Sequence, residues 1–397
     1  MSDERRFPDG FIWGTATAAH QVEGGNWNND WWAWEHAPGT PCPEPSGDAC
    51  DQYHRYKDDL ALLADLGFGT YRFSVEWSRI EPEDGEISQA ALDHYRRVCD
   101  AALALDVDPV VTYHHFTSPR WVAAAGGWTE PATADRFGRF CEVVTEALGD
   151  RVVRACTINE PNIVAFIGHR LGVFPPGLQD HDQWMRANEI LVAGHRRAVD
   201  AIRGVRPQLP VGLTLAMSDY QAVPADDSAA VTRRDGIRRD MEDVFLEACR
   251  GDDFLGVQTY SRTRIGPDGN LPPEEGVPVL PLGYEYWPEA LEATIRRAWD
   301  FLGGDVPLLV TENGIGTDDD DQRISYLGTA LDGVRACLAD GIRVEGYICW
   351  SLLDNFEWAF GYGPKFGLVA VDRETQVRAP KPSAKWLGDI ARANALS

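Results

Sequence analysis

Short apolar, β-branched runs recur along the chain, each closed by a polar loop and followed by a stretch of helical periodicity. They start near residues 10, 69, 108 and 152, and again near 209, 253, 306 and 344. Continuous apolar runs bounded by turn residues predict buried parallel strands. Amphipathic stretches cover 52–66, 88–105, 133–148, 183–205, 288–302, 322–339 and 382–394, with a shorter helical segment at 236–250. In the first, Leu60, Leu62, Leu63 and Leu66 share one helical face. Eight strands about 48 residues apart, alternating with helices, predict an α/β fold of the (β/α)8 TIM-barrel type, with 1–397 as a single domain. A doubly wound sheet is the alternative, but Gly24-Gly25 lacks the G-x-G-x-x-G spacing expected after its first strand. The run Asp318-Asp-Asp-Asp321 reads as a solvated helix start, because the alternating ligands and later Glu of a calcium loop are missing.

Charge narrows the partners. With 37 Lys+Arg against 62 Asp+Glu the chain carries a formal −25, which argues against nucleic acid and anionic membranes. No stretch approaches the roughly 20 apolar residues of a membrane helix, and residues 1–10 carry no apolar leader core. Of the eight cysteines, none forms a C-x-x-C pair, and no Asn-x-Ser/Thr site occurs. The expectation is a cytoplasmic protein with buried reduced thiols. Cys42 and Cys50 flank a Pro-rich loop and leave a second reading, a disulfide, open. There is no His-Glu-x-x-His, no Cys/His ligand spacing and no Gly-x-Ser-x-Gly elbow, so neither metal nor nucleophilic-serine chemistry is indicated, and no cofactor.

In a barrel, the carboxyl ends of the strands face the active site. Those positions hold Gln21 and Glu23, Arg72 and Glu76-Trp77, His114-His115, Asn159-Glu160, Tyr260, Glu312-Asn313, and Trp350 with Asn355, Glu357 and Trp358. Amides and carboxylates pair with vicinal hydroxyls, and indole faces pack on the C–H face of a sugar ring. The set points to a neutral, polyhydroxylated ligand. Glu160 and Glu312, on nearly opposite strands, are candidates for paired acid–base work, which with retention of configuration needs carboxyls about 5–5.5 Å apart. Taken singly, His115 reads as a core histidine, Trp350 and Trp358 as packing, and Gln21 as a loop cap. The aromatic run Trp27-Asn-Asn-Asp-Trp-Trp-Ala-Trp34 reads equally as a rim wall or as loop packing.

Five blocks then carry a resemblance. Phe11-Ile-Trp-Gly-Thr-Ala-Thr-Ala-Ala-His-Gln21-Val-Glu-Gly24, Tyr71-Arg-Phe-Ser-Val-Glu-Trp-Ser-Arg-Ile80, Thr157-Ile-Asn-Glu-Pro161, Thr311-Glu-Asn-Gly314 and Trp350-Ser-Leu-Leu-Asp-Asn-Phe-Glu-Trp358 resemble, in order, the signatures of glycoside hydrolase family 1, the β-glucosidase family. The resemblance implies the (β/α)8 fold, no cofactor, and a retaining exo-β-glycosidase acting on non-phosphorylated β-D-glycosides through a covalent glycosyl-enzyme. It makes Glu160 the acid/base and Glu312 the nucleophile, supported by Arg72 and Tyr260. Asn159 would hold the 2-hydroxyl, Gln21, His115 and Glu357 the other hydroxyls, with Trp350 as ring platform and Trp358 near the 3-hydroxyl. Oligomeric state and natural aglycone are left open.

Several positions depart from the family pattern. Gln258-Thr259-Tyr260 stands for Asn-Tyr-Tyr, Asn162 for an aromatic after the Pro, Phe116 for a Trp, and Phe360 for a polar residue. The chain is also shorter than many relatives, chiefly around the fifth and sixth loops, which implies a more open aglycone cleft. A 6-phospho-β-glycosidase is disfavoured, because Glu357 would repel phosphate and Pro364 stands where a Lys is expected. A sugar-binding relative without catalysis usually lacks one of the two glutamates. A transglycosidase shares every catalytic residue and stays open.

Overall fold

Each apolar run lies between two apolar layers, which is why none alternates cleanly along its length. In a computed structural model of the chain, which describes residues 6–396, the runs form β1 (Ile12–Ala16), β2 (Thr70–Ser74), β3 (Asp108–His115), β4 (Arg154–Asn159), β5 (Val211–Ala216), β6 (Phe254–Gln258), β7 (Leu308–Glu312) and β8 (Val344–Trp350). Each pairs in parallel with its neighbours in the chain, and β8 closes the barrel on β1, from Ile12 opposite Gly346 to Ala16 opposite Trp350. Ala16, Val110, Cys156, Phe254, Leu309 and Ile348 fill the inside. A larger core, with Leu63, Phe137, Leu191, Ile295 and Leu331, joins the barrel to its helices.

The helices are α1 (Gln52–Leu66), α2 (Gln89–Leu103), α3 (Ala132–Leu148), α4 (His181–Val205), α5 (Ser228–Arg238, continuing through a π turn to Ala248), α6 (Ala290–Leu302), α7 (Asp320–Ala339) and α8 (Pro382–Ala393). Side-chain caps start several of them: Ser88, Asp180 and Asp319 each accept from a first-turn backbone N–H. Seven spans agree with the sequence expectation to within two residues at each end. α5 is a correction, since it starts at Ser228 and not at 236. Asp227 caps it, but Ala230 is the one buried residue of Ser228–Arg238, so no apolar stripe announced it. Within the Asp318–Asp321 run, Asp319 caps α7 as expected. Asp320 faces protein and not only solvent, accepting from Ser383 N and Oγ at 2.7 Å, which ties α7 to the start of α8.

The leaderless reading of the amino terminus falls partly on residues 1–5, outside the described residues. Among those described, no helix is long and apolar enough to cross a membrane. All eight cysteines are buried free thiols, so Cys42 and Cys50 do not pair.

Two irregularities shape the carboxyl end of the barrel. The β4–β5 register shifts between Cys156 and Asn159, and the β6–β7 register between Val257 and Gln258. With them, His115 lies opposite Asn159, Asn159 opposite Thr214, and Gln258 opposite Glu312. Bulges of this kind re-aim side chains beside functional sites.

Candidate active site

Glu312 ends β7, and each of its carboxylate oxygens accepts a hydrogen bond. Arg72 Nη1 reaches Oε1 at 2.7 Å and the Tyr260 hydroxyl reaches Oε2 at 2.6 Å. Arg72, on β2, is 1% exposed, so this is a buried ion pair whose remaining donors need partners. Its Nη2 donates to Asn159 Oδ1 at 2.5 Å. The same oxygen also accepts from Gln258 Nε2 at 2.9 Å and Thr214 Oγ1 at 3.1 Å. Three donors settle which end of the Asn159 amide is oxygen, so Nδ2 donates to His115 Nε2 at 3.3 Å. Burial, then the Arg72 and His114 charges, hold His115 well below the usual imidazole range. The neutral ring therefore carries its proton on Nδ1, which has no partner among the described residues.

Glu160 follows β4 in the left-handed conformation (φ 45°, ψ 57°), with Pro161 opening the short helix Pro161–Ala165. Its backbone N–H bonds Thr214 O at 2.8 Å, while Ile163 N and Val164 N return to its carbonyl. Such a φ on a non-glycine residue persists where surrounding bonds over-determine it. Burial, then the negative charge of Glu312, push the Glu160 carboxyl well above the usual range against the pull of Arg72. Burial raises Glu312 as well, but Arg72 and the Tyr260 hydrogen bond oppose it. A proton shared by this pair therefore resides on Glu160.

The floor is built from β8 and the loop after β1. Gln21 Nε2 donates to Phe356 O at 2.7 Å, Asn355 Oδ1 at 3.1 Å and Glu357 Oε2 at 3.3 Å, leaving Oε1 without a partner among the described residues. An unpaired acceptor on Gln21 and an unpaired donor on His115 border one cleft of about 380 Å³, with Glu160, Glu312, Tyr260, Trp350, Glu357 and Trp358. The His115 ring lies nearly parallel to both indoles, 5.7 Å from Trp350 and 6.1 Å from Trp358. Burial and the Glu312 charge push Glu357 up to about 8, Gln21 opposing. A second cavity, about 620 Å³ and lined by Asp9, Asp108, Arg154, Arg343 and Glu345, opens at the amino ends of the strands and holds none of these groups.

Other strand-end residues go elsewhere. Glu23 does not line the cleft; it pairs with Arg79 at 2.8 Å and Tyr95 at 2.7 Å. Glu76 accepts from Ser78 and Thr117, and Trp77 packs on Phe137 and Phe140. Glu76 stands directly before the helical turn Trp77–Ile80. His114 bonds Ser118 and meets Trp128 edge-on, and Asn313 bonds Thr259 O and the Tyr326 and Tyr347 hydroxyls. Asn355 sits behind Gln21. In the aromatic run, Trp31 is buried 4.6 Å behind Trp358 and Trp34 Nε1 donates to Val173 O at 3.1 Å, so these two pack in the loop, whereas Trp27 is exposed. His195, Cys249 and Asp252 could together hold a metal ion, but none of them lines the cleft.

Some cleft residues had not been singled out. Tyr284 brings a hydroxyl without a partner among the described residues, and Ile163, Ile167, Leu171, Val173 and Phe174 line one side. Gln258, noted only as a departure, fixes the Asn159 amide.

A model of the family described as "Glycosyl hydrolase family 1" matches residues 3–252 and 258–396. The "Thermostable beta-glucosidase B" of Thermobispora bispora is 37% identical over 98% of this chain and 91% of its own length. Among solved structures, the "beta-glycosidase BGL167" is 51% identical with a TM-score of 0.91, covering 98% of each chain. The β-glucosidase from Thermotoga maritima in complex with glucoimidazole is 30% identical with a TM-score of 0.92, over 99% of this chain and 100% of that one.

Proposed function

The chain belongs to glycosyl hydrolase family 1, and from that membership we propose that it is a retaining exo-β-glycosidase, hydrolysing non-phosphorylated β-D-glycosides by double displacement. The observation that carries this reading is the unequal pair: Glu312 accepts from Arg72 and Tyr260, whereas the Glu160 side chain has no hydrogen-bond partner among the described residues and is pushed up by burial and the Glu312 charge, which favours Glu160 as the proton carrier.

Glu312 attacks the anomeric carbon while Glu160 protonates the departing oxygen, giving a covalent glycosyl-enzyme. Esterification removes the Glu312 charge that helped raise Glu160. The Glu160 pKa then falls, and the carboxylate takes a proton from the water that hydrolyses the ester. Asn159 serves the 2-hydroxyl, where hydrogen bonds strengthen in the oxocarbenium-like transition state. The unpaired Gln21 Oε1 and His115 Nδ1–H accept from and donate to neighbouring hydroxyls, joined by Glu357. Trp350 supplies the platform, and Trp358 stands near the 3-hydroxyl. Once ionised, above about 8, Glu357 would also repel a 6-phosphate. No step calls for a cofactor. Residues 1–397 read as one catalytic domain, and buried free thiols suit a cytoplasmic protein.

Product stereochemistry tests the mechanism. Proton NMR of glucose released from an aryl β-glucoside should show the β-anomer first, with the α-anomer appearing only by mutarotation; α-glucose as first product would overturn double displacement.

A further inference from the structure

Resting on that functional reading, the acid also marks the leaving-group side. Glu160 must reach the glycosidic oxygen, so the aglycone occupies the space beyond it. The chain leaving Glu160 builds that space directly, through the helix Pro161–Ala165 and then a π turn over Phe166–Leu171 that ends at Gly172 with φ 71°. Ile163, Ile167 and Leu171, four residues apart, face the cleft, followed by Val173 and Phe174. None of these side chains carries an N–H or O–H. Asn162, the amide of this segment, is buried, and its Nδ2 donates to Ala216 O at 2.8 Å. Across the opening stand Leu282, Phe360 and Phe366. Leu171 and Phe360 remain 44% and 47% exposed at the rim.

A second sugar placed here would meet one unpartnered hydroxyl among the described residues, that of Tyr284 beside Leu282, and would bury its other hydroxyls against the aliphatic wall without partners, each at a cost of roughly 1–3 kcal/mol. An alkyl or aryl group would instead remove apolar surface from water on both sides. We propose that the leaving-group side of this cleft takes an apolar aglycone, an aliphatic or aromatic alcohol, in preference to a second sugar, and that Ile167 and Leu171 set the preference.

Methyl, butyl and hexyl β-D-glucoside and cellobiose share one glucosyl unit, so comparing them isolates the aglycone. The expected kcat/KM rises from methyl to hexyl, and hexyl glucoside exceeds cellobiose by about tenfold or more. Ile167→Asn with Leu171→Asn should flatten the alkyl series by raising KM for hexyl far more than for methyl glucoside, with an unchanged far-UV circular dichroism spectrum reporting that the variant is folded. Cellobiose cleaved as well as hexyl glucoside, or an alkyl preference surviving the double substitution, would overturn the inference and leave the functional reading standing. Absence of turnover with all four, and with an activated aryl glucoside, would remove the functional reading itself.

Discussion

Glu160 and Glu312 are the same side chain in one buried cleft, and their neighbours alone make them different acids. Glu312 accepts from a guanidinium and a phenol; Glu160 accepts from no described side chain and feels its partner's charge. The kcat/KM profile should therefore fall on the alkaline side as Glu160 loses its proton and on the acid side as Glu312 gains one, with both apparent values belonging to the pair. Glu160→Ala should abolish the alkaline limb and slow poor leaving groups by about 10²–10⁴-fold, while sparing the glycosylation step of a dinitrophenyl glucoside; an unchanged alkaline limb would reassign the acid. At this scale the sequence was legible wherever a side chain lies on the strand or its first inward turn, as with Arg72, Asn159 and Glu312. Glu23 and Glu76 misled because a strand-end position does not say which way the following turn faces.

Elements carry the next layer. The turn Glu312-Asn313-Gly314 presses against β8, with Trp350 N bonded to Asn313 O at 3.0 Å, and a Cβ on Gly314 would sit 2.1 Å from Trp350 O. Gly314→Ala must push Glu312 and Trp350 apart. A misplacement of about 1 Å can cost about 10²-fold, so kcat/KM should drop by that order with far-UV circular dichroism retained; wild-type activity would contradict this packing. The apolar wall after Glu160 was invisible in the sequence, because residues four apart read as ordinary core packing and nothing in Phe166–Leu171 announces a π turn. α5 was missed at its start for the opposite reason, a polar helix with almost no buried face.

For the whole molecule, the cleft is a cost that the fold must bear. Glu357 keeps its proton to about 8 in the folded chain, against a usual value of 4.5. Between those values the folded state binds more protons than the unfolded one, so stability falls as pH rises through this window. Glu357→Gln removes the carboxyl, and its Tm relative to wild type should be higher near about pH 8.5 than near about pH 5; a pH-independent difference would place Glu357 in a more solvated setting. The barrel itself was legible from the alternation of runs because burial on both faces of every strand leaves a continuous apolar signature.

The roles of the two glutamates meet in a single measurement, turnover of an aryl β-glucoside with a good leaving group by Glu312→Ala, with and without azide. The expected result is no turnover alone, and restored turnover with azide that yields the α-glucosyl azide, since azide attacks from the side the carboxylate vacated while Glu160 stays in place. Turnover persisting without azide, or a β-configured azide product, would contradict Glu312 as the nucleophile.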